Sequence, residues 1–202
     1  MLSTFERINR INIGNNHLIF VLASTNAGVG PFVIRTCTRS DFSHVALIDV
    51  TGNSKFESIP QDGVVKITSC LPLPDQSNFN LVAAIDSLTS VATLNGETLV
   101  VFAAVVTSVQ RALMLSFLEN QVGKQYDWEG CFKIFNYTRD WTEDSNWFCS
   151  ELVASAFASA TIPLIHKPSG RVTPDHCATS CRLFYLASTP NQECAKYIPI
   201  NS

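Results

Sequence analysis

The sequence is poor in charged residues and has no cluster of one charge sign. Only 15% of its 202 residues are charged, and 14 basic against 17 acidic residues leave a net charge of -3. The chain has no run of lysines and arginines of the kind that binds phosphates, so nucleic acid is not an expected partner. Because 46% of the residues are hydrophobic, intrinsic disorder is excluded, and the length predicts a single domain over residues 1–202.

Long hydrophobic runs are also missing. No apolar run approaches the roughly 20 residues that a membrane-spanning helix requires. The segment Leu18–Ala23 follows two arginines, but its six apolar residues are too few for the core of a secretory signal. We therefore expect a buried strand at this segment and no transmembrane segment. The expected location is cytoplasmic, unless a phage or a secretion system delivers the protein.

Cysteine pairs with metal-ligand spacing are absent as well. The seven cysteines form an odd set without a CxxC pair, at positions 37, 70, 131, 149, 177, 181 and 194. This pattern favours free thiols in a reducing compartment. Cys177 and Cys181 lie near His176, but a fourth ligand at a suitable spacing is missing, so we expect neither a metal nor another cofactor.

Short β-rich runs separated by turn signals fill the first half of the chain. The predicted strands cover residues 18–24, 32–35, 44–50, 55–59, 64–68 and 99–106. Turn signals at residues 26–28, 51–53 and 61–63 between these runs are typical of an antiparallel meander. Residues 45–48 show little alternation of apolar and polar side chains, which predicts a strand that is covered on both faces.

Helical patterns dominate the second half. Apolar residues at helical spacing predict a helix over residues 108–120 that stops before Gly123. An alanine-rich stretch predicts a second helix from about Cys149 to Ala160, ended by Ile162-Pro163. Residues 79–90 form a weaker helical pattern. Strands first and helices afterwards indicate an α+β domain.

The segment Trp147-Phe-Cys-Ser-Glu-Leu-Val153 places a cysteine in the first turn of a predicted helix. The free N–H groups and the positive dipole end at such a position stabilise a thiolate, which makes Cys149 a candidate nucleophile. The same N–H groups can receive an oxyanion. We expect such a thiol to be partly exposed. The competing interpretation is a small buried hydrophobic residue, which is common for an unpaired cysteine.

Four histidines compete for the role of base. His44 opens an apolar strand, and a neutral imidazole there could accept the thiol proton and return it to a leaving group. His17 precedes another strand, and His166 and His176 lie in a proline-rich region. Spacing in the sequence does not choose among them.

A carboxylate that orients the imidazole is the third candidate. Glu57 lies in the strand that follows the turn at residues 51–53, so it could reach His44 from an adjacent antiparallel strand and fix its tautomer. Asp49 is the alternative, but residues five apart on one strand point to opposite faces. Glu57 is therefore favoured.

Four sequence blocks together resemble the YiiX-like branch of the permuted NlpC-type papain-like hydrolases. The blocks are Ser43-His-Val-Ala-Leu47, Glu57 followed by Gly63-Val64, Gly123-Lys-Gln-Tyr-Asp127 and Phe148-Cys-Ser-Glu-Leu-Val153. Their order matches over most of the chain, from about residue 18 to residue 175. Ordinary papain-like enzymes carry the cysteine first, whereas this branch, like lecithin retinol acyltransferase, carries the histidine first. The resemblance thus implies a circularly permuted papain-like fold.

This resemblance also implies roles for particular residues. It assigns Cys149 as nucleophile, His44 as base and Glu57 as the residue that orients the base. Tyr126 matches a tyrosine whose hydroxyl helps to stabilise the oxyanion in related enzymes. Departures occur at residues 15–17, which read Asn-Asn-His in place of a usual Gly-Asp, and at Phe42, where a tyrosine is frequent.

The expected activity is hydrolysis of an amide, ester or thioester through an acyl-enzyme, with a peptide or an acyl-lipid as substrate. Two alternatives remain open. One is an acyltransferase that passes the acyl group to an amine or lipid acceptor, and the other is a non-catalytic peptide- or lipid-binding module on the same fold.

Overall fold

The computed structural model describes residues 2–25, 29–59, 63–69, 78–133 and 146–189. Its strands are β1 His17–Thr25, β2 His44–Asp49, β3 Ser54–Ile59, β4 Val64–Ser69, β5 Thr98–Val106, β6 Gln125–Tyr126, β7 Asn146–Trp147 and β8 Phe184–Ser188. Its helices are α1 Thr4–Arg10, α2 Val29–Thr38, α3 Asn78–Leu94, α4 Ser108–Glu119, α5 Trp128–Lys133, α6 Cys149–Ser159 and α7 Pro174–Ala178, with a 3-10 turn at Ser169–Arg171.

Over these residues the strands form one eight-stranded sheet in the order β7-β6-β4-β3-β2-β1-β5-β8. The run from β1 to β4 is an antiparallel meander, as predicted, apart from the helix α2 inserted between β1 and β2. The turn predicted at residues 51–53 joins β2 to β3, whereas residues 26–28 and 61–62 lie outside the described residues. β5 pairs with the outer side of β1, and only the short β6 and β7 pair in parallel. The α+β class predicted from the sequence is therefore confirmed.

Both faces of the sheet are covered, because consecutive residues of its central strands alternate between two hydrophobic clusters. In β1, Ile19 and Val21 belong to the cluster that includes residues of α4, α6 and α7. Leu18 and Phe20 belong to the other cluster, together with residues of α1 and α3. Residues 45–48 of β2 are all buried, which confirms the prediction of a strand covered on both sides.

One strand prediction is wrong. Residues 32–35 lie within the helix α2. Their aromatic and β-branched side chains favour a strand, but tertiary packing overrides that preference. Ile34 and Thr38, one helical turn apart, are both buried, so the segment is amphipathic at helical spacing. Pro31 stands in the first turn, where its missing N–H group costs no intrahelical hydrogen bond.

The three helix predictions are confirmed at α3, α4 and α6. Thr107 and Gln110 form a reciprocal capping box that starts α4, and Gly123 adopts a positive φ of 84° after the helix has ended. The sequence interpretation did not include α1, although Ser3 and Glu6 form a similar capping box there. The sequence interpretation also lacked the strand β8, which pairs with β5 at the edge of the sheet.

The described residues include no helix that is both long enough and apolar enough to cross a membrane. This finding agrees with the absence of long apolar runs in the sequence.

Candidate active site

Helix α6 begins at Cys149, as the sequence predicts. Phe148 is the N-cap residue, and its side chain makes no capping hydrogen bond to the first turn. The backbone of the preceding strand β7 pairs with β6, which fixes where the helix starts. The hydroxyl of Ser150 donates to the carbonyl of Val172 at 2.6 Å and ties the first turn to the segment before α7.

Cys149 is 2% exposed, so the expectation of a partly exposed thiol is wrong. Residues 149–154 of α6 are all buried, so the helix start is covered together with the turns that follow it. Phe148 and Tyr126 are buried in a small cluster with Ile34 from α2. The position of Cys149 at a helix start can be predicted from the sequence. Whether the sheet and the neighbouring helices cover its side chain cannot.

His44 and Glu57 face each other from the neighbouring strands β2 and β3. The distance between His44 Nε2 and Glu57 Oε2 is 3.2 Å. When Nε2 carries the proton and donates to the carboxylate, Nδ1 holds the lone pair of the ring. The Cys149 side chain lies close enough to His44 to raise the pKa of the imidazole. The structure therefore brings together the three residues that the sequence singled out as nucleophile, base and orienting acid.

The electrostatics of this group favour a charged imidazole. Burial by itself would lower the pKa of His44, but the hydrogen bonds and charges of Cys149 and Glu57 outweigh burial and raise it to about 9. Burial would raise the pKa of Glu57, yet the hydrogen bond from His44 and the ammonium group of Lys55 lower it to about 2. An imidazolium facing a carboxylate is thus the stable state of this pair near neutral pH.

The other histidines lie in different surroundings. His17 contacts the hydroxyls of Thr51 and Ser108 at 3.0 and 3.1 Å. His176 accepts a hydrogen bond from the N–H of Thr173 at 3.1 Å, and its Nε2 lies 2.8 Å from the Lys167 ammonium. His166 is exposed.

Asp49, the alternative orienting acid, is engaged elsewhere. Both of its carboxylate oxygens receive hydrogen bonds from the Arg111 guanidinium, at 2.8 and 2.5 Å. It also accepts the N–H of Gly52 at 2.8 Å. Asp49 therefore joins β2 to α4 and to the following turn, at the opposite end of the strand from His44.

Tyr126 lies in β6, next to the strand that leads into the nucleophile helix. It is 5% exposed, and its ring packs on Trp128 with a centroid distance of 5.0 Å. Its cluster includes Phe148, the residue immediately before Cys149. A role for its hydroxyl at an oxyanion stays a prediction.

The sequence reasoning missed two residues that hold the site together. The Ser58 hydroxyl donates to the carbonyl of Trp147 at 2.6 Å, and the Lys55 ammonium lies 2.6 Å from Glu57 Oε2. The spacing of Lys55 and Glu57 was a usable signal, because residues two apart on a strand share a face. No local signal in the sequence indicates that Ser58 meets Trp147.

Comparisons with known proteins identify a similar fold. No protein-family model matches the chain, and no curated protein matches it. The crystal structure of the metalloprotein YiiX from Escherichia coli O157:H7 is similar, with a TM-score of 0.56 and 14% sequence identity. The similarity covers 86% of this chain and 98% of that one. At this identity it shows the fold alone, and it is consistent with the YiiX-like resemblance of the sequence blocks.

The description of YiiX as a metalloprotein raises the question of a metal site here. Among the residues that the structure describes, no group of three or more histidine, cysteine, aspartate or glutamate side chains is arranged to hold a metal ion. Cys177 and Cys181, which lie near His176 in the sequence, are free thiols, one buried and one exposed. The described side chains therefore do not fit a metal centre.

Proposed function

We propose that this protein is a cysteine-nucleophile hydrolase or acyltransferase with a circularly permuted papain-like fold. In this proposal Cys149 is the nucleophile, His44 exchanges the proton, and Glu57 orients His44. The substrate contains an amide, ester or thioester carbonyl and belongs to a peptide or an acyl-lipid.

One observation carries the proposal. His44 donates to Glu57 at 3.2 Å, and Cys149, which opens the helix α6, lies near enough to raise the pKa of His44. A nucleophile, a base that contacts it and a third group that orients the base form the arrangement that nucleophilic catalysis requires. The helix start adds backbone N–H groups and the positive dipole end, which stabilise a thiolate and an oxyanion.

The steps follow from this geometry. The imidazolium of His44 forms when the Cys149 thiol gives its proton to Nδ1, and the resulting thiolate attacks the carbonyl carbon to form an S–C bond. The bond from that carbon to the leaving nitrogen, oxygen or sulfur breaks, and the leaving group takes the proton from His44. Water or another acceptor then loses its proton to His44, attacks the acyl-enzyme and releases Cys149. The raised pKa of His44, about 9, suits the charged form that protonates the leaving group.

A second candidate is a binding module that has kept the fold and lost turnover. The observation that favours it is the burial of Cys149, which is 2% exposed. A substrate carbonyl cannot reach a sulfur so enclosed unless neighbouring side chains move. The experiment below therefore has to detect a covalent acyl-enzyme.

The test uses p-nitrophenyl butyrate as an activated ester. The protein is mixed with the ester at pH 7 and quenched in acid, and peptide mass spectrometry locates any butyryl group. We expect acylation of Cys149 and release of p-nitrophenol that the Cys149→Ala variant lacks. Cys181→Ala is the matched control, since Cys181 is an exposed thiol outside the site, and it should behave like the unmodified protein.

Equal p-nitrophenol release by the Cys149→Ala variant, with no acyl group on Cys149, would overturn the catalytic proposal in favour of the binding module. A primary amine added to the same reaction separates the two enzymatic outcomes. Butyryl amide as the main product indicates an acyltransferase, and butyrate as the main product indicates a hydrolase.

A further inference from the structure

Lys55 shares a carboxylate oxygen with His44. Its ammonium nitrogen lies 2.6 Å from Glu57 Oε2, and the same oxygen lies 3.2 Å from His44 Nε2. Lys55 and Glu57 are two residues apart on β3, so both side chains project from the same face of that strand. The Glu57 side chain is 7% exposed and that of Lys55 is 28% exposed, which leaves the ion pair only partly screened by water.

We propose that Lys55 is a positioning residue of the Cys149–His44 pair: it holds the Glu57 carboxylate in place and limits the negative charge that this carboxylate imposes on the imidazole. The catalytic part of this inference rests on the proposed function. Lys55 acts through Glu57 and is not expected to contact the substrate.

The physical reason is competition for one acceptor oxygen. An ammonium group at 2.6 Å offsets much of the carboxylate charge, and it also repels a proton on the nearby imidazole. Without Lys55, the carboxylate would act on His44 alone, and His44 would hold its proton more tightly. Such a histidine would be a weaker acid and slower to donate its proton to a leaving group.

Other titratable groups also lie on the elements packed against this site. β4 brings Lys66 opposite Glu57, α6 brings Cys149 and Glu151, and α7, which packs on β2, brings Asp175 and His176. Asp175 accepts from the hydroxyl of Ser40, and His176 is held by Thr173 and Lys167. Because all of them remain in a Lys55 variant, a difference from the parent protein reports on Lys55.

The experiment follows the protonation of His44 by NMR. Only four histidines are present, so the ring signals are resolvable, and a His44→Gln variant assigns the one of interest. The titration is run in a Cys149→Ser background, which removes ionisation of the thiol from the curve. Lys55→Met and Lys55→Gln remove the charge with two different side chains, and Lys55→Arg retains it. Lys167→Met is the matched control, because it removes a lysine that lies beside His176.

We expect both neutral variants to raise the titration midpoint of His44 by roughly half a pH unit or more. Lys55→Arg should leave the His44 midpoint unchanged. Lys167→Met should shift the titration midpoint of His176 and leave the midpoint of His44 unchanged. An unchanged or lowered His44 midpoint in both neutral variants would overturn the inference, as would an equal shift in Lys55→Arg.

This readout is independent of turnover. If the midpoint shifts as expected but Cys149 is never acylated, the role of Lys55 in setting the charge of His44 stands and the proposed function fails. If Cys149 is acylated but the midpoint does not move, the proposed function stands and the role of Lys55 fails.

Discussion

The hydroxyl of Ser58 donates a hydrogen bond of 2.6 Å to the carbonyl oxygen of Trp147. Ser58 directly follows Glu57 in β3, and Trp147 stands two residues before Cys149. One strand thus carries the acid that orients His44 and the hydroxyl that anchors the segment leading into α6. This contact fixes the nucleophile helix relative to the base, although the two are far apart in the sequence.

Replacing Ser58 with alanine should therefore destabilise the protein and loosen the site. We expect a loss of about 1 kcal/mol in the free energy of unfolding, because the carbonyl of Trp147 retains a second donor, the N–H of Asp127 at 3.2 Å. Urea unfolding measures this loss. Ser54→Ala is the matched control on the same strand, and it should cost less, since the Ser54 hydroxyl bond is exposed. Equal losses in the two variants would contradict the role given to Ser58.

The proposed nucleophile can be tested by its selectivity among the cysteines. The catalytic proposal requires the side chains around the buried Cys149 to move and admit a substrate. Brief iodoacetamide treatment near pH 6, read by peptide mass spectrometry, should then label Cys149 ahead of Cys37, Cys70, Cys131, Cys177, Cys181 and Cys194. Ordinary thiols are mostly protonated at this pH, whereas a thiol beside an imidazolium at a helix start can react as a thiolate.

Two cysteines serve as internal controls for this labelling. Cys177 should stay inert, because burial raises the pKa of its thiol far above the ordinary value and leaves it protonated at pH 6. Cys181 is exposed, so its labelling reports the reactivity of an accessible thiol outside the site. His44→Ala should slow the labelling of Cys149 and leave that of Cys181 unchanged. Faster labelling of Cys181 than of Cys149 at pH 6 would count against the pairing of Cys149 with His44.

The roles of Glu57 and His44 differ, and matched substitutions should separate them. His44→Ala removes the group that moves the proton, so we expect ester turnover to fall by roughly 10²-fold to 10⁴-fold. Glu57→Gln retains an oxygen that can accept from Nε2, and we expect a smaller loss. Initial rates of p-nitrophenol release at saturating ester measure both. A larger loss in Glu57→Gln than in His44→Ala would show that the roles are assigned wrongly.

The pKa shifts of this pair predict how stability depends on pH. The pKa of Glu57 is lowered from 4.5 to about 2, so its contribution is complete above 4.5 and is lost as the pH falls towards 2. The pKa of His44 is raised from 6.5 to about 9, so its contribution is complete below 6.5 and is lost as the pH rises towards 9. The pair therefore stabilises the protein most between about pH 4.5 and 6.5.

Urea unfolding at pH 6 and pH 9 tests the alkaline side. We expect the unmodified protein to lose on the order of 2 kcal/mol over this interval, and His44→Gln to lose much less. His176→Gln is the control, since the pKa of His176 is lowered by burial and by Lys167, and it should not reduce the alkaline loss. The attribution to His44 fails if His44→Gln loses as much stability as the unmodified protein.

Much of the fold could be predicted from local patterns. The strands β1 to β5 and the helices α3, α4 and α6 follow from apolar periodicity and turn residues, which are properties of short segments. Residues 32–35 could not be assigned in this way. Their β-branched side chains favour a strand, and only the burial of Ile34 and Thr38 against the rest of the chain shows why they form a helix.

The sequence by itself determined which residues are candidates for chemistry. A cysteine that opens a helix, a histidine that opens a strand and a glutamate on the next strand can be recognised from spacing alone. Spacing also favoured Glu57 over Asp49 as the acid, but only the tertiary structure decided which histidine meets that acid. His44 meets Glu57, whereas His176 meets Lys167 and Asp49 meets Arg111. These choices depend on strand register and helix packing, which join residues far apart in the chain and leave no local signal. The burial of Cys149 depends on the same packing.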